Sequence, residues 1–305
     1  MAGALEGRVV IVTGAGRGIG AEHARLLARE GALVVVNDLG GAQDGSGADA
    51  GPAATLVAEI EAAGGHAVAN TDDVADAQGA QRLVDTALET FGDLHGLVNN
   101  AGVLRDRTLV AMTDDDWETS LRVNARGTFM PSRAAARYWR ERSKAGHEVH
   151  AAVVSTSSES GAFANPGQTN YAAAKAGVLS MTEVWHKEMF RYGVRFNAIL
   201  PRARTRLTEN MIKPGEADKF DRWDPANVSP FVAYLLTEQC PIAGEVFLVS
   251  GSVVQRAAPW RLDPAWKLEG EGRWEVADLA DAVAAAGVPT DPDRDTGIVS
   301  RRPLR

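Results

Sequence analysis

Tyr171 and Lys175 stand four residues apart in QTNYAAAKAG, residues 168–177, in a chain that has only four tyrosines. On a helix this spacing puts the phenol and the ammonium on one face, and the alanines between them let that face lie close to a ligand or another helix. A phenol with a reference pKa of about 10 acts as a base near pH 7 once about 4 kcal/mol of differential stabilisation favours its anion. A nearby ammonium in a partly dry cleft is one source of it. Tyr171 would then take a proton in an oxidation or give one in a reduction. Spacing alone favours a solvated helix-surface pair, but Ser158 stands thirteen residues earlier in VVSTSS. There its hydroxyl can hydrogen-bond a substrate oxygen beside the tyrosine. Ser155, Thr156 and Ser157 read more simply as groups that satisfy backbone at a strand end. Asn124, in LRVNARG, could hold a water that connects Lys175 to solvent; alone it is an ordinary helix asparagine.

A second constellation is TGAGRGIG, residues 13–20. Gly14 lets the chain turn tightly, Gly18 lets backbone approach a pyrophosphate, and Gly20 lets the next helix pack closely with its N-terminus toward the phosphates. The motif lies between a strand and a helix, and Asp38 closes the next strand 24 positions after Gly14. That context makes a weak pattern strong. Asp38 can accept from both adenosine ribose hydroxyls, whereas a 2′-phosphate would meet like charge, so NAD is favoured over NADP. Arg17 could pair a phosphate, or serve as a solvated loop residue or a partner of Asp38. In NTDDVAD, Asp73 or Asp72 could accept from an adenine amino group, or cap a strand end.

These residues need elements to hold them. RVVIVTG, ALVVVND, HAVANTD, HGLVNNAG, HAAVVSTSS, VRFNAIL and GEVFLVSG are apolar and rich in β-branched residues, as strands covered on both faces must be. Helix-like segments lie at 19–30, 52–63, 76–91, 114–143, 168–192 and 224–238. The alternation predicts an α/β fold: a single Rossmann-like, doubly wound domain with a seven-stranded parallel sheet flanked by helices. The domain is expected over residues 1–255, with a C-terminal extension over 256–305 that carries Trp260, Trp266 and Trp274 and packs on the domain or a neighbouring subunit. A Gly/Asp-rich loop, 40–51, follows the second strand.

The composition of the 305 residues, 45% hydrophobic and 24% charged, is that of a globular protein. The net charge of −8 gives no support to nucleic-acid or membrane-surface binding, and a single cysteine excludes an intrachain disulfide. No apolar stretch approaches the ~20 residues of a membrane span, and the first residues run into a strand without a signal-peptide layout, so a cytoplasmic location is expected.

Taken together, TGAGRGIG, NNAG at 99–102, Asn124, Ser158 and YAAAK resemble the short-chain dehydrogenase/reductase family over roughly residues 5–255. The resemblance implies a catalytic tetrad of Asn124, Ser158, Tyr171 and Lys175, with Lys175 also holding the nicotinamide ribose. It implies a cofactor cleft in which Asn100, Ala101 and Gly102 line the adenosine side and Asn99 braces the sheet. Around them stand Arg17, Ile19, Asp73, Val74, Tyr171 and Pro201, with Thr205 as the carboxamide contact. VVVNDLGG, GQTNYAAAKAG, RFNAILPRARTRLT and the aromatic tail are similar to the (3R)-hydroxyacyl-CoA dehydrogenase unit of peroxisomal multifunctional enzyme type 2 and its bacterial relatives. That similarity implies NAD-dependent interconversion of a secondary alcohol and a ketone on a 3-hydroxyacyl-CoA, including bulky or steroid-derived acyl groups. The alternatives are a hydroxysteroid or other secondary-alcohol dehydrogenase without CoA, and an NAD-binding redox sensor without turnover.

Where most of the family has Pro-Gly after the sixth strand, this chain has Pro201-Arg202. Arg202, Arg204 and Arg206 alternate beside the cleft and could meet coenzyme A phosphates or nearby carboxylates. No histidine spacing suggests a metal site. TDDDWE at 113–118 reads as a helix cap, and Cys240 has no activating partner in view. The resemblance implies pairing of the long helices within 114–143 and 168–192 into a homodimer or homotetramer.

Overall fold

The structure, a computed structural model, describes residues 3–42, 44–47, 49–204, 219–258, 267–269 and 276–287. Its sheet contains β1 (Val9–Thr13), β2 (Leu33–Asn37), β3 (His66–Asn70), β4 (Gly96–Asn99), β5 (Ala151–Thr156), β6 (Val194–Arg202), β7 (Val246–Ser250) and β8 (Val253–Ala257). Their order is β3-β2-β1-β4-β5-β6-β7-β8. β1 to β7 run parallel and β8 is antiparallel to β7. The sheet therefore has eight strands where the apolar runs indicate seven. β8 pairs with β7 across a two-residue turn in which Gly251 takes φ 56°, a hairpin connection that needs positive φ. Its sequence, VVQRA, is mostly exposed and lacks the continuous apolar run of a buried strand.

Alternate strand residues feed two core layers. Val10 and Val12 pack with α1 (Gly18–Arg29), α2 (Gly51–Ala62) and, later in the chain, a helix over Ser229–Leu236. Val9 and Ile11 pack on the opposite face with α3 (Ala77–Phe91) and with Ala134, Ala135 and Trp139. The segment 114–143 is not one α-helix. α4 (Asp114–Ser120) passes through a π-helical turn, Leu121–Arg126, into α5 (Gly127–Lys144). As the acidic run suggests, Thr113 caps α4: its hydroxyl accepts from Asp116 N at 3.1 Å, and the Asp116 carboxylate reaches back to Thr113 N at 3.3 Å.

After β5 come the short α6 (Glu159–Phe163), α7 (Thr169–Met189), α8 (Ser229–Leu236) and α9 (Val276–Ala286). α9 lies within the C-terminal extension; Trp260, Trp266 and Trp274 lie outside the described residues. β8 carries the sheet to Ala257, two residues beyond the expected boundary at 255. β1 lies between β2 and β4, so successive connections leave it in opposite directions. The crevice above the carboxyl ends of β1 and β4 is the usual ligand position in such sheets. No helix of the described residues is long and apolar enough to cross a membrane.

Candidate active site

At the carboxyl end of β1 the glycines are sterically required. Gly14 has φ 61°, and a Cβ there would lie 2.7 Å from Ala101 Cα. A Cβ at Gly20 would lie 2.2 Å from Gly14 O, so α1 can start this close to the strand only without a side chain. Asn100 sews the loop to β4 by donating from Nδ2 to Thr13 O (3.1 Å) and Gly14 O (3.0 Å). Thr13 Oγ1 accepts in turn from the amides of Asn100 and Ala101, at 3.0 and 3.1 Å. Thr13 is a site residue that the sequence reading passed over, although a hydroxyl at a strand end directly before a glycine turn was a usable signal. Asn99 ties β4 to α5 by donating to Ser132 Oγ at 2.9 Å and reaches Ser155 Oγ of the neighbouring β5 at 3.4 Å.

Arg17, the exposed residue before α1, makes no side-chain cap, and the first-turn amides of the helix face the loop. Asp38 accepts from Gly16 N at 2.7 Å and Gly40 N at 2.6 Å, and among the described residues it has no ion pair with Arg17. A carboxylate so held keeps lone pairs for a diol, and a glycine turn at a helix N-terminus suits a pyrophosphate. The residues present thus fit a dinucleotide. Ile19, half-buried, packs on the core layer on one face of the sheet, and the buried Val74 belongs to the layer on the other. Asp73 accepts from Ala75 N at 2.8 Å and pairs with Arg122, while Asp72 pairs with Arg82 at 2.5 Å. Pro201, half-buried in β6, pairs in register with Val249, and Thr205 and Arg206 lie outside the described residues.

The other constellation gathers at the end of β5. Tyr171 and Lys175 share a face of α7, with the ammonium 5.6 Å from the phenol ring centroid. Lys175 is buried and donates to Thr156 O at 2.8 Å. Burial lowers its pKa to about 8 and lifts that of Tyr171 to about 12. A hydrogen bond from Ser158 pulls the phenol down and the Asp106 charge pushes it up, both less than burial does. Ser158 is the N-cap of α6, and its oxygen accepts from Ser160 N at 3.1 Å. The structure therefore brings Ser158, Tyr171 and Lys175 together.

Asn124 sits buried in the π-helical turn, a local widening that redirects side chains and is common at functional sites. It donates to Val103 O and Ser120 O, each at 3.0 Å, and accepts from Val103 N at 3.3 Å. A Cβ at Gly102 would lie 2.8 Å from Asn124 Oδ1 and 3.6 Å from Lys175 Nζ, so glycine leaves the space before both groups open.

Arg202 and Arg204 take the carboxylate alternative: Arg202 clasps Glu159, and Arg204 pairs with Asp221. Glu159, Gln168 and Asp106 are further residues around Ser158 that the sequence did not single out, because their partners are remote in the chain. His150 meets Glu148 at 3.0 Å, and no metal-ligating cluster occurs among the described residues.

A family model described as short chain dehydrogenase matches residues 8–214. A hydroxyacyl-CoA dehydrogenase of Mycobacterium tuberculosis is 37% identical over 300 residues, covering 95% of this chain and 92% of the relative. Mouse peroxisomal multifunctional enzyme type 2 is 42% identical over 245 residues, which are 80% of this chain and 32% of that enzyme. The crystal structure of a short chain dehydrogenase from Mycobacterium avium superposes with a TM-score of 0.84 at 45% identity, covering 93% of this chain and 96% of that one.

Proposed function

The chain belongs to the short-chain dehydrogenase/reductase family, and from that membership we propose an NAD-dependent oxidoreductase that interconverts a secondary alcohol and a ketone, acting on 3-hydroxyacyl-CoA substrates. The observation that carries the reading is the meeting of Ser158, Tyr171 and Lys175 beside a glycine loop suited to a dinucleotide.

NAD supplies the hydride acceptor when bound, and its reduced form the donor. Gly14, Gly18, Gly20 and the first amides of α1 hold its pyrophosphate, with Arg17 and Ile19 alongside. Asp38 takes the adenosine ribose, and Asp73 and Val74 the adenine. Asn100, Ala101 and Gly102 would line the cleft, Tyr171 and Lys175 would meet the nicotinamide ribose, and Pro201 would stand on the nicotinamide side. In oxidation Tyr171 removes the hydroxyl proton while Ser158 donates to the oxygen that becomes the carbonyl. A phenol near 12 is ready as the acid of reduction. To act as a base near pH 7 it needs about 7 kcal/mol of help. Lys175, with its pKa near 8, stays largely protonated at neutral pH and supplies part of this, and a positive nicotinamide adds to it. Asn124 holds a water that carries the proton from Lys175 toward solvent.

Support for the acyl-CoA class comes from the relatives, since Arg202 and Arg204 already meet carboxylates. Residues 1–255 act as the catalytic unit and 256–305 as its extension. The exposed Val184 and Phe190, on and just after α7, suit a homodimer or homotetramer. A panel of 3-hydroxyacyl-CoA esters and free hydroxysteroids, each with NAD and NADP, tests cofactor and substrate together. Turnover of CoA esters with NAD is expected; turnover of free steroids alone would remove the CoA assignment. Wild-type rates no higher than those of Tyr171→Phe on every alcohol would favour a sensor.

A further inference from the structure

α6 is a five-residue helix, too short to be held by its own backbone bonds, and Ser158 is its N-cap. It ends at Ala164 with φ 61° and ψ 158°, a conformation that is strained for a residue with a side chain and persists only where the surroundings impose it. Those surroundings can be named. Ser160 Oγ donates to Gln168 Oε1 at 2.6 Å, and Gln168 Nε2 donates to Asp106 Oδ2 at 2.8 Å. On the other side, Arg202, the last residue of β6, clasps the first residue of α6: its Nε donates to Glu159 Oε2 at 2.5 Å, and its Nη2 donates to Glu159 Oε1. The pair is largely shielded, with side chains 18% and 20% exposed. In such a place a two-pronged guanidinium–carboxylate pair fixes geometry, and loss of one partner leaves the other uncompensated.

We propose that Arg202 is a positioning residue for the reaction: through Glu159 it anchors α6 to the sheet and so aims the Ser158 hydroxyl at Tyr171 and the substrate oxygen. The same contact occupies both Glu159 oxygens, which keeps a carboxylate adjacent to Ser158 from accepting its hydroxyl hydrogen bond. Arg202 stands where most of the family has glycine after the proline. This positioning role rests on the roles assigned above to Ser158 and Tyr171.

The test is a double-mutant cycle on the full chain with NAD and the best alcohol of the panel. Arg202→Met should lower kcat by up to about 100-fold, the scale of a 1 Å misplacement. The Michaelis constant for NAD should stay within about twofold, because the glycine loop is untouched. The tyrosine limb of the pH profile should move upward as the Ser158 bond to the phenol weakens. Arg202→Lys should recover part of the rate. In a Ser158→Ala background, Arg202→Met should cost almost nothing more, since coupled residues are not additive. An equal penalty in both backgrounds, or wild-type kcat in Arg202→Met, overturns the proposal. If Arg202→Met does not fold, Glu159→Gln is run through the same cycle with the same two outcomes. Should Ser158→Ala and Tyr171→Phe both keep wild-type rates, the assignment of the active site fails instead, which is a different result.

Discussion

Tyr171 and Lys175 show how one environment prepares two groups in opposite ways. Burial disfavours charge on both, so the phenol holds its proton more tightly and the ammonium less tightly. Tyr171→Phe removes only the oxygen. It is expected to lower kcat by about 10²–10⁴-fold and to weaken NAD binding, measured by fluorescence titration, far less than that, because Tyr171 is one of many groups on the cofactor. Asp38 gives a second test at this scale. Asn at 38 keeps an acceptor for Gly16 or Gly40 but loses the charge that repels a 2′-phosphate. The preference for NAD over NADP should fall about tenfold or more, since like charges a few ångströms apart interact by kilocalories. An unchanged preference ratio would sink the assignment. Tyr171, Lys175, Ser158 and the glycines were legible because chemistry and spacing are local. The Arg202–Glu159 clasp joins residues 43 apart in the chain, and only the parallel pairing of β5 with β6 brings them together.

Elements explain why these side chains keep their places. α6 can lie against α7 because residue 161 is glycine: a Cβ there would come within 2.6 Å of Lys175 C and 2.7 Å of Ala176 N. Gly161→Ala must move backbone on one side or the other. It should cost about 1–3 kcal/mol of stability in urea titrations and lower kcat more than it raises the Michaelis constant for NAD. Equal stability and kcat would show that α6 is not held where described. The seven parallel strands were legible from continuous apolar runs, and helix α7 from its spacing. The π-helical turn at Asn124 was not, because one extra residue in a turn leaves no composition signal. β8 was missed because an edge strand need not be apolar.

The whole molecule adds a pH dependence unrelated to catalysis. His23, a residue of α1, lies fully buried toward α8, with Nδ1 2.8 Å from Ser229 Oγ, and burial lowers its pKa to about 3. Between about pH 3 and 6.5 the unfolded chain binds a proton there that the folded chain refuses, so stability falls as pH falls through this window. From pH 7 to 5 the loss should be about 2 kcal/mol, and His23→Leu should flatten that part of the slope in urea titrations. An identical slope in both proteins would contradict the burial argument. At this scale the doubly wound parallel sheet and the order of the motifs along the chain were readable. The family model over residues 8–214 and the Mycobacterium avium structure agree with them. The substrate was less legible, because Arg202 and Arg204, two of the arginines that could mark coenzyme A, are paired within the chain.

The central claim is that this site moves hydride between NAD and a secondary alcohol with Tyr171 as the proton carrier. Its most direct test is the absorbance of reduced nicotinamide when wild type and Tyr171→Phe are each mixed with NAD and a 3-hydroxyacyl-CoA. The wild type should form reduced nicotinamide steadily, and the variant at a rate at least about 100-fold lower. Equal rates in the two proteins would contradict it.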